Sequence, residues 1–348
     1  MSEFNDHPRL KVRFGTGWDT CNYHCEYCVT DQPLGETSGA TGSLPILTRI
    51  GQGITSPSKI AGKLSSIGKR LASAQAPPEV AEWSEEKYLR VIDRFAELPF
   101  RMDVRIGVGG ETFINKTVVE GARRLSNHDN TFAVNLISNL SFSFAQYQKI
   151  FQGFDLSRVA LVCSFHPTEI KDVDKWIETA VQINQIVDLA IVLVAWPPLM
   201  AELRANKARM EAVGLEVFVQ AFHGWHDQEK YPEAYSDDDR ALLRDVFYSQ
   251  HDFDHMVDLK QPGKCYAGVD YVYVDINGNV SRCGTYKTPI GNVFKQLNLL
   301  QRPAACPGTE CWCDTENLNT VEFRENYQLV GLNQHKYVRR QPSPATID

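Results

Sequence analysis

The sequence predicts an α/β fold, a partial (β/α)6 barrel followed by a small cysteine-rich domain, on three observations. Between residues 84 and 221, strand-like and helix-like segments alternate, the arrangement of βα units on a parallel sheet. Beyond about residue 230 that alternation gives way to short β runs around an Asn277-Gly278 turn pair. Eight of the nine cysteines fall into two groups, one near each end of the 348-residue chain, with Cys163 between them.

Each element has its own signal. Residues 9–16 (RLKVRFGT) alternate and hold β-formers, which predicts a first strand running into the first cysteine group. Residues 31–57, rich in Gly, Ser, Thr and Pro, read as a long loop. An amphipathic helix follows, with Ile60, Leu64, Ile67 and Leu71 on one face and Lys59, Lys63, Lys69 and Arg70 on a solvated one. Ser84 caps a helix whose core side is Tyr88, Val91, Phe95 and Leu98. Strands are then expected at 103–109, 131–138, 158–164, 189–195 and 215–221, with helices near 114–126, 143–152, 172–187 and 200–213. The first strand brings the total to six, short of the eight that close a full barrel. A partial, TIM-like barrel puts its active face at the strand C-terminal ends. A helix at 237–249 leads onward. The expected divisions are 1–235 for the barrel with an insertion at 31–80, 236–254 for a linker helix, 255–325 for the cysteine-rich domain and 326–348 for a tail.

Composition excludes several classes. Hydrophobic residues at 43% and charged residues at 23% supply a core and rule out wholesale disorder. The longest apolar run, Leu189 to Trp196, stops at Pro197-Pro198, far short of the roughly twenty residues a membrane span needs. A formal net charge of −7 argues against nucleic acid as the main partner. The polar N-terminus lacks a secretory layout, so a soluble, cytoplasmic protein is expected. In that compartment thiols stay reduced, and clustered cysteines read as metal ligands rather than disulfides.

The first group, Cys21-Asn-Tyr-His-Cys25-Glu-Tyr-Cys28, wraps three thiolates into one short loop directly after a strand. Three ligands leave a fourth metal position open, which signals chemistry. A zinc knuckle using His24 is the alternative, awkward because His24 sits between two ligands in a tight loop. The C-x3-C-x2-C spacing, with Tyr27 before the last cysteine, resembles the cluster loop of radical S-adenosylmethionine (SAM) enzymes. That resemblance implies a 4Fe–4S cluster on Cys21, Cys25 and Cys28, with SAM chelating the fourth iron. It also implies SAM contacts from Gly109-Gly110-Glu111, where the family usually continues with proline and this chain has Thr112. Glycines admit close backbone approach, and Glu111 is placed to accept from the SAM ammonium. Ser138 and Asn139 after the third strand, Ser164 on the fourth, and Val192 and Val194 on the fifth complete the implied SAM site. Strand alternation that turns Ser164 and His166 inward turns Cys163 out toward the helices.

In the second group, twelve residues separate Cys265 from Gly278 and four more separate that glycine from Cys283. A hairpin at Asn277-Gly278 brings two distant thiolates together, and Cys306, Cys311 and Cys313 supply the rest. This resembles the SPASM and Twitch extensions of radical SAM enzymes. Five cysteines suffice for one fully ligated auxiliary 4Fe–4S cluster, so the Twitch arrangement fits better and one of Cys306, Cys311 and Cys313 is spare. A structural zinc ribbon is the alternative.

The implied mechanism delivers an electron, from a reductant such as flavodoxin or ferredoxin, to the first cluster and on to the SAM sulfonium. The products are methionine and a 5′-deoxyadenosyl radical, which abstracts a hydrogen atom from substrate. The auxiliary cluster then accepts an electron, holds substrate, or only staples the domain. His166 and Glu169 after the fourth strand, and His223 after the sixth, are the candidate acid–base residues. Only twenty residues precede Cys21, leaving no room there for a leader-binding domain, so a small-molecule substrate is expected. A peptide substrate is the second reading and a non-catalytic metal-stapled binding protein the third.

Overall fold

Six parallel strands run side by side in chain order: β1 (Arg9–Gly15), β2 (Arg101–Gly107), β3 (Thr131–Ser138), β4 (Val159–Phe165), β5 (Asp188–Ala195) and β6 (Val217–Ala221). The computed structural model describes residues 8–28, 82–107, 109–313 and 315–340. The loop expected over 31–57 and the helix expected over 60–71 lie outside the described residues. Helices α1 (Glu85–Glu97), α2 (Lys116–Ser126), α3 (Phe144–Ile150), α4 (Val173–Asn184) and α5 (Met200–Glu211) fill the crossovers. The result is a mixed α/β structure on a large parallel sheet, with the form of a partial barrel.

Local chemistry explains the elements. Ser84 accepts from the Lys87 amide and starts α1, a cap worth about 1 kcal/mol. Helix α1 buries Tyr88, Val91, Ile92 and Phe95, and Tyr88 stacks on Phe14 of β1 at 5.6 Å. On β1, Leu10, Val12 and Phe14 are buried, while the alternate residues Arg9, Lys11 and Arg13 lie half-buried on the other face. Strands β4 and β5 are apolar on both faces, as parallel strands covered on two sides must be. Val162, Ala190, Val192 and Phe218 make their own apolar cluster, and Cys163 belongs to the other, larger layer. Strand β2 lies two residues earlier than expected. Gly109 is not a strand residue, because its amide bonds the Trp18 carbonyl in the cysteine loop.

The linker helix expected over 236–254 is two, the first ending at Val246, short of the expected 249. Ser236 and Asp239 form a capping box that starts α6 (Asp237–Val246), and Ser249 accepts from Asp252 to start α7 (Gln250–Met256). Further on, β10 (Tyr271–Asp275) pairs in parallel with β1, from Lys11 opposite Tyr271 to Gly15 opposite Asp275. Strands β11 (Asn279–Ser281) and β12 (Pro289–Asn292) follow antiparallel. The cysteine-rich region therefore shares the barrel's sheet.

The chain end forms a hairpin, β14 (Tyr327–Leu329) and β15 (Tyr337–Arg339), whose connection enters the barrel. Asn333 donates to the Leu161 carbonyl, and the Leu332 and Asn333 amides donate to Asp188 at the first residue of β5. These contacts close the N-terminal end of the barrel and leave the C-terminal end as the open face. No helix among the described residues is long and apolar enough to cross a membrane.

Candidate cofactor site

The loop after β1 carries Cys21, Cys25 and Cys28, all half-buried. Its shape is set by the neighbouring β2 loop. The Thr16 amide and hydroxyl both bond the Gly107 carbonyl, Gly109 donates to the Trp18 carbonyl at 2.7 Å, and Glu111 donates to the Thr20 carbonyl at 3.0 Å. The two loops thus continue the β1–β2 pairing past the sheet edge. Gly110 lies so close that a Cβ there would sit 1.9 Å from the Thr20 carbonyl oxygen. Only glycine fits, and Gly110→Ala must push the cysteine loop away. The expected result is a protein with ordinary far-UV circular dichroism that, after reconstitution, holds about half of the wild-type iron.

Glu111 is almost fully buried. Its carboxylate accepts from the Phe113 amide (3.0 Å), the Ser138 hydroxyl (3.0 Å) and the Asn139 amide (2.6 Å). Burial pushes its pKa up and these three bonds pull against that rise. The side chain ties the β2 loop to the end of β3. Asn139 extends the tie, donating to Asn22 at 2.9 Å and reaching Cys21 Sγ at 3.6 Å. Sequence reading placed Glu111, Ser138 and Asn139 at the site without seeing that they bond one another. Asn22, inside the cysteine loop, escaped notice.

On the other side, Tyr27 is buried between two rings: it stacks on His166 at 5.7 Å and meets Trp196 at 4.9 Å. Its hydroxyl lies 3.2 Å from His166 Nδ1. Burial holds His166 down at about 4, so its imidazole is neutral at pH 7. Glu169 is half-buried and close enough to Cys25 to raise it electrostatically. Ser164 pairs across the sheet with Val192, and Val194 with Gln220, which puts Ser164, Val192 and Val194 on one face of the sheet, Val192 deepest.

The donor set suits an iron–sulfur cube. Burial raises Cys21 and Cys25, the latter to about 12, with Glu169 and the other two cysteines adding like charge beside Cys25. Thiolates in such a place need a multivalent cation among them. Among the described residues no three cysteine sulfurs lie within 4.8 Å of one another.

Four of the second-group cysteines, Cys265, Cys283, Cys306 and Cys311, line one cavity with Tyr286 and Glu316. Cys313 is turned elsewhere: it accepts from Arg13 of β1 at 3.0 Å and lies 3.6 Å from the Thr315 hydroxyl. Buried Glu316, which sequence reading missed, accepts from the Gly284 amide and from the Thr285 amide and hydroxyl, fixing the Cys283 turn. Cys313 does not line that cavity. Cys311→Ser is expected to cost about four irons per chain and Cys313→Ser almost none, by iron counting after anaerobic reconstitution.

Trp312, between those two cysteines, stacks on His223 at 5.0 Å. The Cys311–Cys313 loop thus touches β1 through Arg13 and the residues just after β6 through His223. His223 Nε2 is buried with no hydrogen-bond partner. His166 sits on the Tyr27 side of this face and His223 on the Trp312 side.

No protein-family model and no curated protein matches the chain. Its structure is similar to solved radical SAM enzymes carrying AdoMet. One is native anSMEcpe with bound AdoMet, at 15% identity over 91% of this chain and 82% of that one, TM-score 0.45. The same enzyme with AdoMet and the Cp18Cys peptide gives 14%, 91%, 82% and 0.46. BtrN in complex with AdoMet and 2-DOIA gives 12%, 83%, 80% and 0.36.

Proposed function

We propose that this chain is a radical SAM enzyme that abstracts a hydrogen atom from a small-molecule substrate and carries it to an oxidised or rearranged product. The observation that supports this best is the three-cysteine loop on the open end of the barrel, joined edge-to-edge with the Gly109-Gly110-Glu111 loop. Cys21, Cys25 and Cys28 would hold a 4Fe–4S cluster and leave one position for SAM, and Cys265, Cys283, Cys306 and Cys311 would hold an auxiliary one. When bound, the first cluster and SAM supply reductive cleavage to a 5′-deoxyadenosyl radical.

The chain's own residues bind, orient and shield. Glu111, Ser138 and Asn139 lock the floor under the cysteine loop, and Gly110 lets that loop pack directly against the β2 loop. Tyr27, His166 and Trp196 wall one side. The Cys311–Cys313 loop, braced by Arg13 and His223, bridges the first and sixth strands and favours a compact substrate held away from water. Electron acceptance from a substrate radical by an auxiliary cluster would make the net reaction an oxidation. His223, with an unpartnered nitrogen, is the first candidate to hold or move a substrate proton. A peptide substrate is the alternative.

The test is anaerobic reconstitution with iron and sulfide, then SAM and dithionite, with 5′-deoxyadenosine and methionine as readouts. About two zinc per chain and no 5′-deoxyadenosine would overturn the proposal and leave a metal-stapled binding protein.

His223 also has a stability signature. Burial lowers its pKa to about 4, with Lys230 opposing and Glu233 favouring the proton. An unfolded histidine titrates near 6.5, so on acidification the unfolded chain takes up this proton first. The contribution is complete above pH 6.5 and is lost as pH falls toward 4. Urea midpoints measured across that window are expected to fall less steeply in His223→Asn, by roughly 1–2 kcal/mol at pH 5.

A further inference from the structure

We propose that His251, His255 and Glu322 form a binding site for one divalent transition-metal ion of zinc's class, separate from both cysteine groups. His251 and His255 stand four residues apart on α7 and share a face, with ring centroids 4.4 Å apart. Glu322 lies in the first turn of α8 (Val321–Asn326), and one ligand atom from each of the three residues lies within 4.8 Å of the others.

Two hydrogen-bonding facts point to a ligand. His255 is fully buried, yet neither ring nitrogen has a hydrogen-bond partner, which buried polar atoms rarely tolerate. His251 Nε2 lies 3.2 Å from the Asn317 carbonyl. A carbonyl only accepts, so Nε2 carries the hydrogen and the lone pair is on Nδ1. A metal-bound histidine is held in the same way, with its second nitrogen donating to a backbone carbonyl.

The donors, two imidazoles and a carboxylate, suit zinc, cobalt, nickel or copper rather than magnesium or calcium. Lys260 holds one Glu322 oxygen at 2.7 Å and also approaches Asp254, which steadies the carboxylate and leaves its second oxygen for an ion. A bound ion would fasten α7, in the link from the barrel, to α8 and the Asn317 turn, which follows the Cys311–Cys313 loop. Its task is structural: to hold that loop across the barrel mouth.

The experiment loads the anaerobically purified full chain, iron–sulfur content intact, with one equivalent of Zn2+ and desalts it. Zinc is then counted and its K-edge absorption recorded. One zinc per chain with a nitrogen/oxygen shell near 2.0–2.1 Å is expected. Glu322→Gln, at an exposed position that does not threaten folding, should weaken zinc binding by about tenfold or more, and His251→Gln/His255→Gln should abolish it. Wild-type zinc no higher than in the double variant would overturn the proposal, and iron measured on the same sample shows the radical SAM reading to be untouched. A sulfur shell near 2.3 Å would overturn it too, and would count against the iron–sulfur reading by placing zinc on the cysteines.

Discussion

Cys28→Ala is expected to abolish 5′-deoxyadenosine formation and to lower bound iron from about eight to about four per chain. Cys28 closes the cysteine loop: its amide donates to the Cys25 carbonyl at 3.0 Å, turning the third sulfur toward the other two. With only three protein ligands, the first cluster has none to spare, and losing one leaves a cube held at two corners. Neither Glu111 nor His166 can substitute. Glu111 is saturated by three internal bonds, and His166 Nδ1 lies 3.2 Å from the Tyr27 hydroxyl. The effect should therefore be complete rather than graded. Cys283→Ala provides the contrast. It removes one of four sulfurs from the second cavity and should also bring iron to about four, but 5′-deoxyadenosine formation should survive, because SAM cleavage needs only the first site. Equal loss of 5′-deoxyadenosine in both variants would show that the two sites do not act separately.

How much of this was legible in the sequence depends on whether the determining contacts are local. The alternation in RLKVRFGT, the Ser84 cap and the apolar runs of β4 and β5 are local, and they place the strands and helices within a few residues. The second helix was missed because Phe247 and Tyr248 keep the apolar spacing going up to Ser249, where the helix was expected to end. The parallel pairing of β10 with β1 joins segments some 260 residues apart and leaves no periodic trace. For the site, the cysteine spacing and the two glycines were readable, whereas the partners of Glu111 were not. The spare thiol could not be chosen from spacing alone. The x4 and x1 intervals treat Cys311 and Cys313 alike, and what separates them is Arg13, three hundred residues away. Residues 332–335 (LNQH) read as a solvated tail, because polar residues that bury themselves do so through distant partners.

That buried tail gives the largest expected stability effect. Asp103, on β2 and fully buried, is its anchor: the carboxylate accepts from Arg9, from Asn135 Nδ2 at 3.0 Å and from Gln334 Nε2 at 2.9 Å. Asn135 in turn accepts from the Gln334 amide and donates to the Leu332 carbonyl, so one side chain organises the whole plug. Asp103→Ala removes an acceptor from the Arg9 guanidinium and from the side-chain amides of Asn135 and Gln334. Each buried amide deprived of that acceptor costs about 1–3 kcal/mol, whereas the Arg9 guanidinium, one-third exposed, turns to water at little cost. A urea titration followed by tryptophan fluorescence should show that loss. Val338→Ala, exposed on the neighbouring β15, should stay within about 0.5 kcal/mol of wild type. Limited proteolysis separates loosening of the plug from general unfolding: early cleavage of Asp103→Ala within 329–337, with the barrel fragment persisting, is the expected pattern. A loss below about 1 kcal/mol would mean that water replaces the tail readily, and that the barrel's N-terminal end is less tightly shut than its open, cysteine-bearing face requires.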